Sequence, residues 1–137
     1  MCDAQDGTRT GGFTTGEPWL PMGHDVADRN VKTFQADERS LLWLYRRLIR
    51  LRREEPTLIE GEYLPMRSHN DILVYRRVWE DDTILVALNT VHEPRKLQWD
   101  GRGTRLLSTY LDGEGLSVAG PVLLRADEGI LIKLQGR

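Results

Sequence analysis

The sequence predicts a mainly β fold, in which an antiparallel β-sandwich of about seven strands follows a long loop and one long amphipathic α-helix. Three observations indicate this fold class. Glycine and proline punctuate residues 1–36, apolar residues recur with the helical period between residues 37 and 55, and they alternate with polar residues from Thr57 onward. With 137 residues the chain suits one small domain plus an appendage, whereas a complete (β/α)₈ barrel needs about 250 residues.

Residues 1–36 are predicted to form a long loop. Few of their apolar positions are periodic, and the loop-forming residues are Gly7, Gly11, Gly12, Gly16, Pro18, Pro21, Gly23, Asp25 and Asn30. A connection of this length is uncommon in a compact domain unless it is functional or lies on another structure. We therefore expect this segment to lie against a body that the chain itself does not provide.

A helix is predicted over residues 37–55. Asp37 can cap the free backbone donors, Glu38 adds charge that favours the helix dipole, and Pro56 ends the helix. One half of the cylinder carries the apolar residues Leu41, Leu42, Leu44, Tyr45, Leu48, Ile49 and Leu51. Because this half is wider than the apolar stripe of about 100° on an ordinary surface helix, it predicts two packing neighbours.

The opposite half of the predicted helix is basic. Its residues are Trp43, Arg46, Arg47, Arg50 and Arg53. A basic helix face can lie along phosphates, but acidic residues flank this one and the net charge is −2, so a solvated face is favoured and no nucleic acid partner is expected. Arg52 falls within the apolar half, where we expect a carboxylate or the last helix carbonyls to pair with it.

Seven strands are predicted after the helix. They cover residues 60–67, 72–79, 83–89, 95–99, 105–111, 122–125 and 129–134. Acidic, glycine and proline residues separate them, as is typical of turns. Gly101-Arg102-Gly103 and Gly113-Glu114-Gly115 are interpreted as turns too, because neither has the third glycine or the following helix of a phosphate-binding loop.

Composition limits the location and the partners of the chain. It is 39% hydrophobic and 29% charged, which fits a globular protein with a real core. Cys2 is the single cysteine, so no intrachain disulfide forms and a reducing, cytoplasmic location is expected. The N-terminus does not read as a signal peptide, and the longest apolar run, residues 84–88, is far short of the roughly 20 residues of a membrane span, so no membrane partner is expected.

The chain offers no convincing catalytic group. A retaining glycosidase needs two carboxylates about 5 to 5.5 Å apart, but Glu54-Glu55 and Asp81-Asp82 lie at a helix end and in a turn, where a solvated surface is favoured. A G-x-S-x-G motif is absent around the serines Ser40, Ser68, Ser108 and Ser117. Cys2 is terminal. A nucleophilic or acid/base site is therefore not predicted.

Histidine and tryptophan are further candidate binding residues. His24, His69 and His92 lie in separate loops without the spacing of a zinc site, so exposed loop histidines are favoured over a metal site. The tryptophans Trp19, Trp43, Trp79 and Trp99 could form a platform on which sugars stack. Since Trp79 and Trp99 fall in predicted strands, a packing role is the commoner alternative for them.

Several motifs resemble one known family. They are Gly12-Phe13-Thr14-Thr15-Gly16, Pro18-Trp19-Leu20-Pro21, Tyr45-Arg46-Arg47-Leu48-Ile49-Arg50-Leu51-Arg52, Gly61-Glu62-Tyr63, Leu85-Val86-Ala87-Leu88-Asn89 and residues 124–132. Together they closely resemble the C-terminal end of the α-glucosidases of glycoside hydrolase family 13. The similarity covers residues 11–134. Its most specific part runs from Trp19-Leu20-Pro21 to the Tyr45-Arg46-Arg47-Leu48-Ile49 motif.

This resemblance implies a division into three segments. Residues 1–36 would be a loop of the catalytic (β/α)₈ barrel, residues 37–56 the last barrel helix, and residues 57–137 the C-terminal antiparallel β-sandwich domain. The helix would then face both the barrel and the sandwich, which accounts for its wide apolar half. At the start the chain departs from the family, since relatives have a Pro-Met-Gln-Trp-Asp-like segment where this chain has Met1-Cys2-Asp3-Ala4.

The resemblance also places the chemistry elsewhere. In the family, the nucleophile Asp, the acid/base Glu and a second Asp that stabilises the transition state come from earlier barrel strands, which have no counterpart in this chain. No catalytic, substrate-binding or metal-binding residue and no cofactor is therefore assigned to it. The implied partner is the missing catalytic (β/α)₈ barrel, and α-glucan oligosaccharide is a further candidate partner.

The leading hypothesis is a C-terminal fragment of an α-glucosidase that is structural and non-catalytic by itself. The parent enzyme would hydrolyse terminal α-glucosidic bonds, in maltose, isomaltose, sucrose or trehalose. Two alternatives stay open: a stand-alone glucan-binding sandwich that uses Trp79 or Trp99, and a separately encoded subunit that docks on a catalytic barrel. If the seven apolar helix residues lose half of their burial, about 5 to 10 kcal/mol is missing, so the isolated chain is expected to be marginally stable or oligomeric.

Overall fold

The computed structural model describes residues 7–8, 10–67 and 71–135 of the chain. The candidate residues Cys2, Ser68 and His69 lie outside this part. Helices α1 and α2 cover Val31–Ala36 and Leu41–Glu54, and a short 3₁₀ helix covers Pro56–Leu58. The strands are β1 (Glu62–Pro65), β2 (Ile72–Trp79), β3 (Asp82–Asn89), β4 (Arg95–Leu97), β5 (Arg102–Ser108), β6 (Ser117–Ala119), β7 (Val122–Leu124) and β8 (Gly129–Leu134).

The chain forms two compact units, Met1–Arg47 and Leu48–Arg137, and α2 runs from the first into the second. The first unit contains a helix where the sequence predicted only loop. The buried Asn30 begins α1: its Oδ1 accepts a hydrogen bond from the Thr33 N–H at 2.9 Å, and its Nδ2 donates to the carbonyls of Val26 and Ala27. Asparagine is a strong N-cap residue, which explains this helix start.

Helix α2 begins later than predicted, at Leu41 instead of residue 37. Asp37 has extended backbone angles, and its Oδ1 accepts from the Arg39 N–H, so it closes a turn before the helix. The buried Ser40 takes the place before the first helical residue, because its carbonyl accepts from the N–H of Leu44 and its hydroxyl donates to the Phe34 carbonyl. The end differs from the prediction by one residue, since α2 stops at Glu54 instead of Glu55, before Pro56.

The second unit is a β-sandwich with unequal layers. The larger sheet has six strands in the order β1-β2-β3-β8-β5-β6, and β4 and β7 form the smaller sheet. All described pairings are antiparallel. This confirms the predicted fold class, with eight strands instead of seven. The additional strand is β6, which pairs with the start of β5.

The core lies between the two sheets. Its buried residues are Ile72, Val74, Leu85, Ala87, Leu97, Val122, Leu124, Ile130 and Ile132. Alternate residues of β2, β3 and β8 contribute from the larger sheet, as the period of two requires. Both β2 and β8 have the predicted bounds, because this alternation is regular in them.

Strand β3 is buried on both faces. Leu85 and Ala87 belong to the core between the sheets, while Ile84 and Val86 on the opposite face are 0% and 4% exposed. The 3₁₀ helix contacts β2 and β3. The face of the larger sheet that lies away from β4 and β7, called the outer face below, is therefore partly covered by other residues.

One of the two glycine motifs is not a turn. Gly103 lies within β5, where a Cβ atom would come within 2.3 Å of the Lys133 carbonyl oxygen on β8. Close backbone approach, and not a chain reversal, therefore requires glycine at this position. The second motif does form a turn before β6, and Gly113 and Gly115 have φ angles of 66° and 77°.

Candidate docking surface

Helix α2 exposes an apolar stripe. None of its residues is fully buried, and Leu41, Tyr45 and Ile49 are 60%, 59% and 51% exposed. These three residues are spaced four apart and so lie along one line of the helix; they are called the helix stripe below. The wide apolar half of the helix predicted two packing neighbours, but no residue of the part that the structure describes covers the helix stripe.

The adjoining line of α2 has a different environment. Leu44, Leu48 and Leu51 are half-buried. Arg52 is exposed, and no ion pair to it occurs within residues 7–8, 10–67 and 71–135, so the expectation that it is paired is wrong for this part of the chain. On the basic half, Arg50 and Glu54 form a long ion pair of 3.8 Å, and the Arg46 guanidinium lies 5.1 Å from the centre of the Trp43 ring.

The outer face of the larger sheet carries a second apolar area. Tyr63 and Leu73 are 50% and 44% exposed, and the rings of Tyr63 and Tyr75 lie 4.9 Å apart. The strand register places these three residues on the same face, opposite the core residue Val74. They are called the sheet patch below. Exposed apolar areas of this kind mark interaction sites more often than random surface does.

An ion-pair cluster connects the chain after α2 to this sheet. The Lys133 Nζ on β8 lies 3.0 Å from Glu55 Oε2 and 3.0 Å from Asp82 Oδ2. Hydrogen bonds to Asp82 and Glu55 raise the pKa of Lys133 above its usual value. The prediction of fully solvated carboxylates is therefore wrong for Glu55 and Asp82, because both are half-buried partners of this lysine.

A second charged network surrounds Arg125. Its Nη1 and Nη2 atoms each lie 2.7 Å from an oxygen of Asp112, while its Nε and Nη2 donate to Glu128 at 3.0 and 2.6 Å. The Ser108 hydroxyl also donates to Glu128 at 2.6 Å, and the ring of Tyr110 lies 3.9 Å from the guanidinium. Both carboxylates are thus held by one cation.

Glu128 is the most deeply buried member of this network, with 3% of its side chain exposed. Burial raises the pKa of its carboxyl, but the hydrogen bonds from Arg125 and Ser108 outweigh that effect, and the pKa falls below 4.5. The sequence predicts a turn at Glu128, and the spacing of three residues from Arg125 is the one signal of this ion pair in the sequence. These hydrogen bonds hold the chain segment before β8 in place. Because they stabilise the ionised carboxylate, Glu128 is a poor proton donor to a substrate.

The two described histidines, His24 and His92, have different surroundings. His24 is exposed, and His92 is 94% exposed with its Nδ1 atom 2.7 Å from Asp127 Oδ2. The hydrogen bond to Asp127 raises the pKa of His92 above its ordinary value of 6.5. Among the residues that the structure describes, no group of three or more His, Cys, Asp or Glu side chains could hold a metal ion.

The tryptophans differ in their surroundings. Trp19 is 92% exposed, and Trp43 donates from Nε1 to the Gln35 carbonyl at 3.2 Å. Trp99 follows β4 instead of lying in it, and it packs half-buried against the core, so its predicted strand position is wrong and a packing role fits it. Trp79 ends β2 as predicted, is 39% exposed, and lines a cavity next to the β2–β3 turn.

Comparison with known proteins shows which proteins this chain is similar to. The family model described as "Alpha amylase, catalytic domain" matches residues 3–61. The chain is 39% identical over 83 residues to trehalose-6-phosphate hydrolase of Escherichia coli (strain K12), covering 60% of this chain and 15% of the relative. It is 36% identical over 109 residues to oligo-1,6-glucosidase of Heyndrickxia coagulans, covering 78% of this chain and 20% of the relative.

Solved structures share the fold. The trehalulose synthase MutB from Pseudomonas mesoacidophila MX-45 matches with a TM-score of 0.84 and 28% identity, over 96% of this chain and 24% of that protein. A mutant of MutB in complex with glucose matches with a TM-score of 0.86 over 97% of this chain. The chain thus spans 15% of the length of the Escherichia coli relative and 20% of the length of the Heyndrickxia coagulans relative. No described helix has the length and hydropathy of a membrane span.

Proposed function

We propose that this chain is the structural C-terminal region of a glycoside hydrolase family 13 α-glucosidase and that it packs against a catalytic (β/α)₈ barrel. The observation that carries this proposal is the helix stripe. Leu41, Tyr45 and Ile49 are all more than half exposed on a helix whose neighbouring line of leucines is half-buried. A helix with two apolar sides needs two neighbours, and a barrel supplies the second.

The activity that we propose for the whole enzyme is hydrolysis of terminal α-glucosidic bonds. Two relatives support this class, since one is an oligo-1,6-glucosidase and the other a trehalose-6-phosphate hydrolase. These names refer to different substrates, yet both proteins share the region that this chain spans. We therefore assign substrate choice to the barrel and a supporting role to this region.

Co-purification tests the docking proposal. The barrel of the Heyndrickxia coagulans oligo-1,6-glucosidase, expressed without the region matched by this chain, would be produced together with the tagged 137-residue chain. We expect the two to co-purify and the complex to release p-nitrophenol from its α-glucoside, whereas the chain alone gives no turnover.

Matched variants locate the contact. Leu41→Gln combined with Ile49→Gln should abolish co-purification, because polar side chains would have to be buried without partners. Leu116→Gln combined with Leu123→Gln is the control, since these leucines are 58% and 67% exposed but lie outside α2. Equal retention of the barrel by both double variants, or turnover by the chain alone, would contradict the proposal.

Two further points belong to the same proposal. We propose a location in the reducing cytoplasm, because this chain has a single cysteine, and fractionation of the source cells tests this location. In the alternative, in which this chain is a separately encoded subunit, it would dock on the catalytic barrel through the same helix stripe. The mass of the protein isolated from those cells distinguishes one long chain from two associated chains.

A further inference from the structure

Arg77 lies beside the sheet patch, on the outer face of the larger sheet. The strand register pairs it with Tyr63 of β1 and with Ile84 of β3, and side chains directly opposite each other on paired strands share a face. Tyr75 precedes Arg77 by two residues on β2, so it lies on this face as well. All of these residues belong to the second compact unit. A cation therefore adjoins an exposed apolar patch.

The guanidinium of Arg77 has few partners. Its Nη2 atom donates to the Ile59 carbonyl at 3.2 Å, and its buried Nε atom has no hydrogen-bond partner within the part of the chain that the structure describes. Glu55 and Asp82, the carboxylates of the nearby ion-pair cluster, each lie 3.0 Å from Lys133 instead. Within residues 7–8, 10–67 and 71–135, no carboxylate forms an ion pair with Arg77.

A body that covers the sheet patch also removes the Arg77 guanidinium from water. Arginine keeps its proton in proteins, so it stays charged when it is buried. A buried charge without a partner is strongly unfavourable, and the covering surface therefore has to present an anionic group. A carboxylate suits the planar guanidinium, because it accepts two parallel hydrogen bonds. The contact uses the Nη atoms, since the chain itself encloses Nε.

The remainder of the same enzyme is the occupant that the observations favour. In the trehalulose synthase MutB, the matched fold takes up 24% of the chain, so most of that protein lies outside this region. Tyr63 and Leu73 are 50% and 44% exposed, and tyrosine and arginine are enriched at the centre of stable interfaces. A second copy of this chain is the alternative occupant, and the experiment below distinguishes the two.

We propose that the sheet patch docks on the catalytic barrel and that the barrel supplies an Asp or Glu carboxylate to Arg77. This inference rests on the proposed function, because it names the partner chemistry of the docking surface. The apolar side chains provide contact area, whereas the ion pair fixes the relative position of the two surfaces. Arg77 is a positioning residue, since it acts through docking and not on the substrate.

Titration of the Heyndrickxia coagulans barrel with the 137-residue chain tests this inference. Arg77→Gln should weaken docking by roughly thirtyfold or more, because the barrel carboxylate is then buried without its partner. Arg77→Lys should fall between Arg77→Gln and the parent chain, since lysine keeps the charge but lacks the planar fork. Arg76→Gln is the matched control and should change the dissociation constant less than about twofold, because Arg76 is exposed on the opposite face of β2.

A double-mutant cycle separates ion pairing from damage to the fold. Surface Asp and Glu residues of the barrel are replaced by Ala one at a time, and each barrel variant is titrated with the parent chain and with Arg77→Gln. One barrel variant should weaken docking of the parent chain about as much as Arg77→Gln does, with no further loss when both changes are combined. Replacement of that carboxylate by Arg should restore docking of Arg77→Glu. Equal melting temperatures of the chain variants show that the sandwich is intact.

The outcomes distinguish this inference from the proposed function. Equal docking by folded Arg77→Gln and Arg76→Gln would overturn the inference and leave the proposed function standing, and so would additive losses at every barrel carboxylate. Weaker self-association of Arg77→Gln with unchanged barrel docking would assign the sheet patch to a second copy and would overturn the inference too. A parent chain that fails to dock would contradict the proposed function and the inference together.

Discussion

A single buried carboxylate fixes the connection that leads into β8. Glu128 accepts from the Ser108 hydroxyl twenty residues earlier, from the backbone N–H of Arg125, and from the Arg125 guanidinium. The triplet Asp127-Glu128-Gly129 has the composition of an exposed turn, so local sequence favours solvent for all three residues. Glu128 is buried instead, because the fold brings Ser108 and Arg125 into contact with it. The sequence pattern does not predict this tertiary contact.

Replacing Arg125 by Met tests the importance of this network. We expect the free energy of unfolding at pH 7 to fall by about 2 kcal/mol, less than for a fully buried pair because 40% of the Arg125 side chain is exposed. The pKa of Glu128 is lower in the folded chain than its ordinary value of 4.5, so its contribution is present above pH 4.5 and is lost as the pH falls below it. The destabilisation should therefore shrink on acidification, as measured by urea unfolding.

The exposed Arg102 provides the control for this substitution. Arg102→Met should change the free energy of unfolding by less than about 0.5 kcal/mol at every pH. A pH-independent loss in Arg125→Met would show that lost packing on Tyr110, and not the charge of Glu128, is responsible.

The pair of His92 and Asp127 predicts that the pKa of His92 is raised above 6.5. The pKa of His92 is raised above 6.5 by Asp127, so its small contribution to stability is present below pH 6.5 and disappears as the pH rises through the higher folded value. Asp127→Asn should return the pKa of His92 towards 6.5, as followed by NMR of the imidazole protons. Glu93→Gln, at the neighbouring residue, should leave it unchanged. An identical His92 titration in Asp127→Asn would refute this assignment.

At the scale of elements, regular alternation was the reliable signal. Strands β2 and β8 have the predicted bounds, and β3 differs by one residue. Strand β6 was missed because Ser117–Ala119 is short and has a single large apolar residue, so no period can be read from it. Helix α1 was missed because glycine and proline dominate the residues before it, although Asn30 was available as a cap.

The two sides of α2 should respond differently to substitution. Leu41→Gln and Ile49→Gln remove side chains that are already exposed in the monomer, so in dilute solution each should change the free energy of unfolding of the monomer by less than about 0.5 kcal/mol. Leu48→Gln, on the half-buried line, should lower it by about 1 kcal/mol or more. Chemical unfolding of the three variants checks this order. Equal losses would mean that the helix stripe is covered in solution.

At the scale of the whole molecule, the sequence pattern predicts a sandwich preceded by a helix with one apolar side left uncovered, and the resemblance implies a catalytic barrel as the neighbour of that side. The division into 1–36, 37–56 and 57–137 concerns the parts of a complete enzyme and stays a prediction. The candidate site was harder to predict, because the sheet patch depends on which residues of β1 and β2 share a face with each other. A pattern of alternation gives the two faces but not which of them a neighbour covers.

The isolated chain should self-associate. The helix stripe and the sheet patch expose apolar side chains that water does not favour, and pairing of two copies would cover part of them. Sedimentation velocity should show a mass that rises with concentration, and the double variant Leu41→Gln and Ile49→Gln should shift it towards the monomer. A single monomeric species across the concentration range would contradict the expectation, and so would an unchanged distribution in the variant.

The edge strands of the six-stranded sheet, β1 and β6, determine how copies of the chain associate. β1 has four residues and ends in Pro65, and β6 has three residues, so little unpaired backbone is available to template another chain. Contacts between copies should therefore form through side chains and not through added strands. Concentrated samples should then form amorphous aggregates that dissolve on dilution and do not bind thioflavin. Addition of the proposed barrel should compete for the same apolar side chains and dissolve these aggregates.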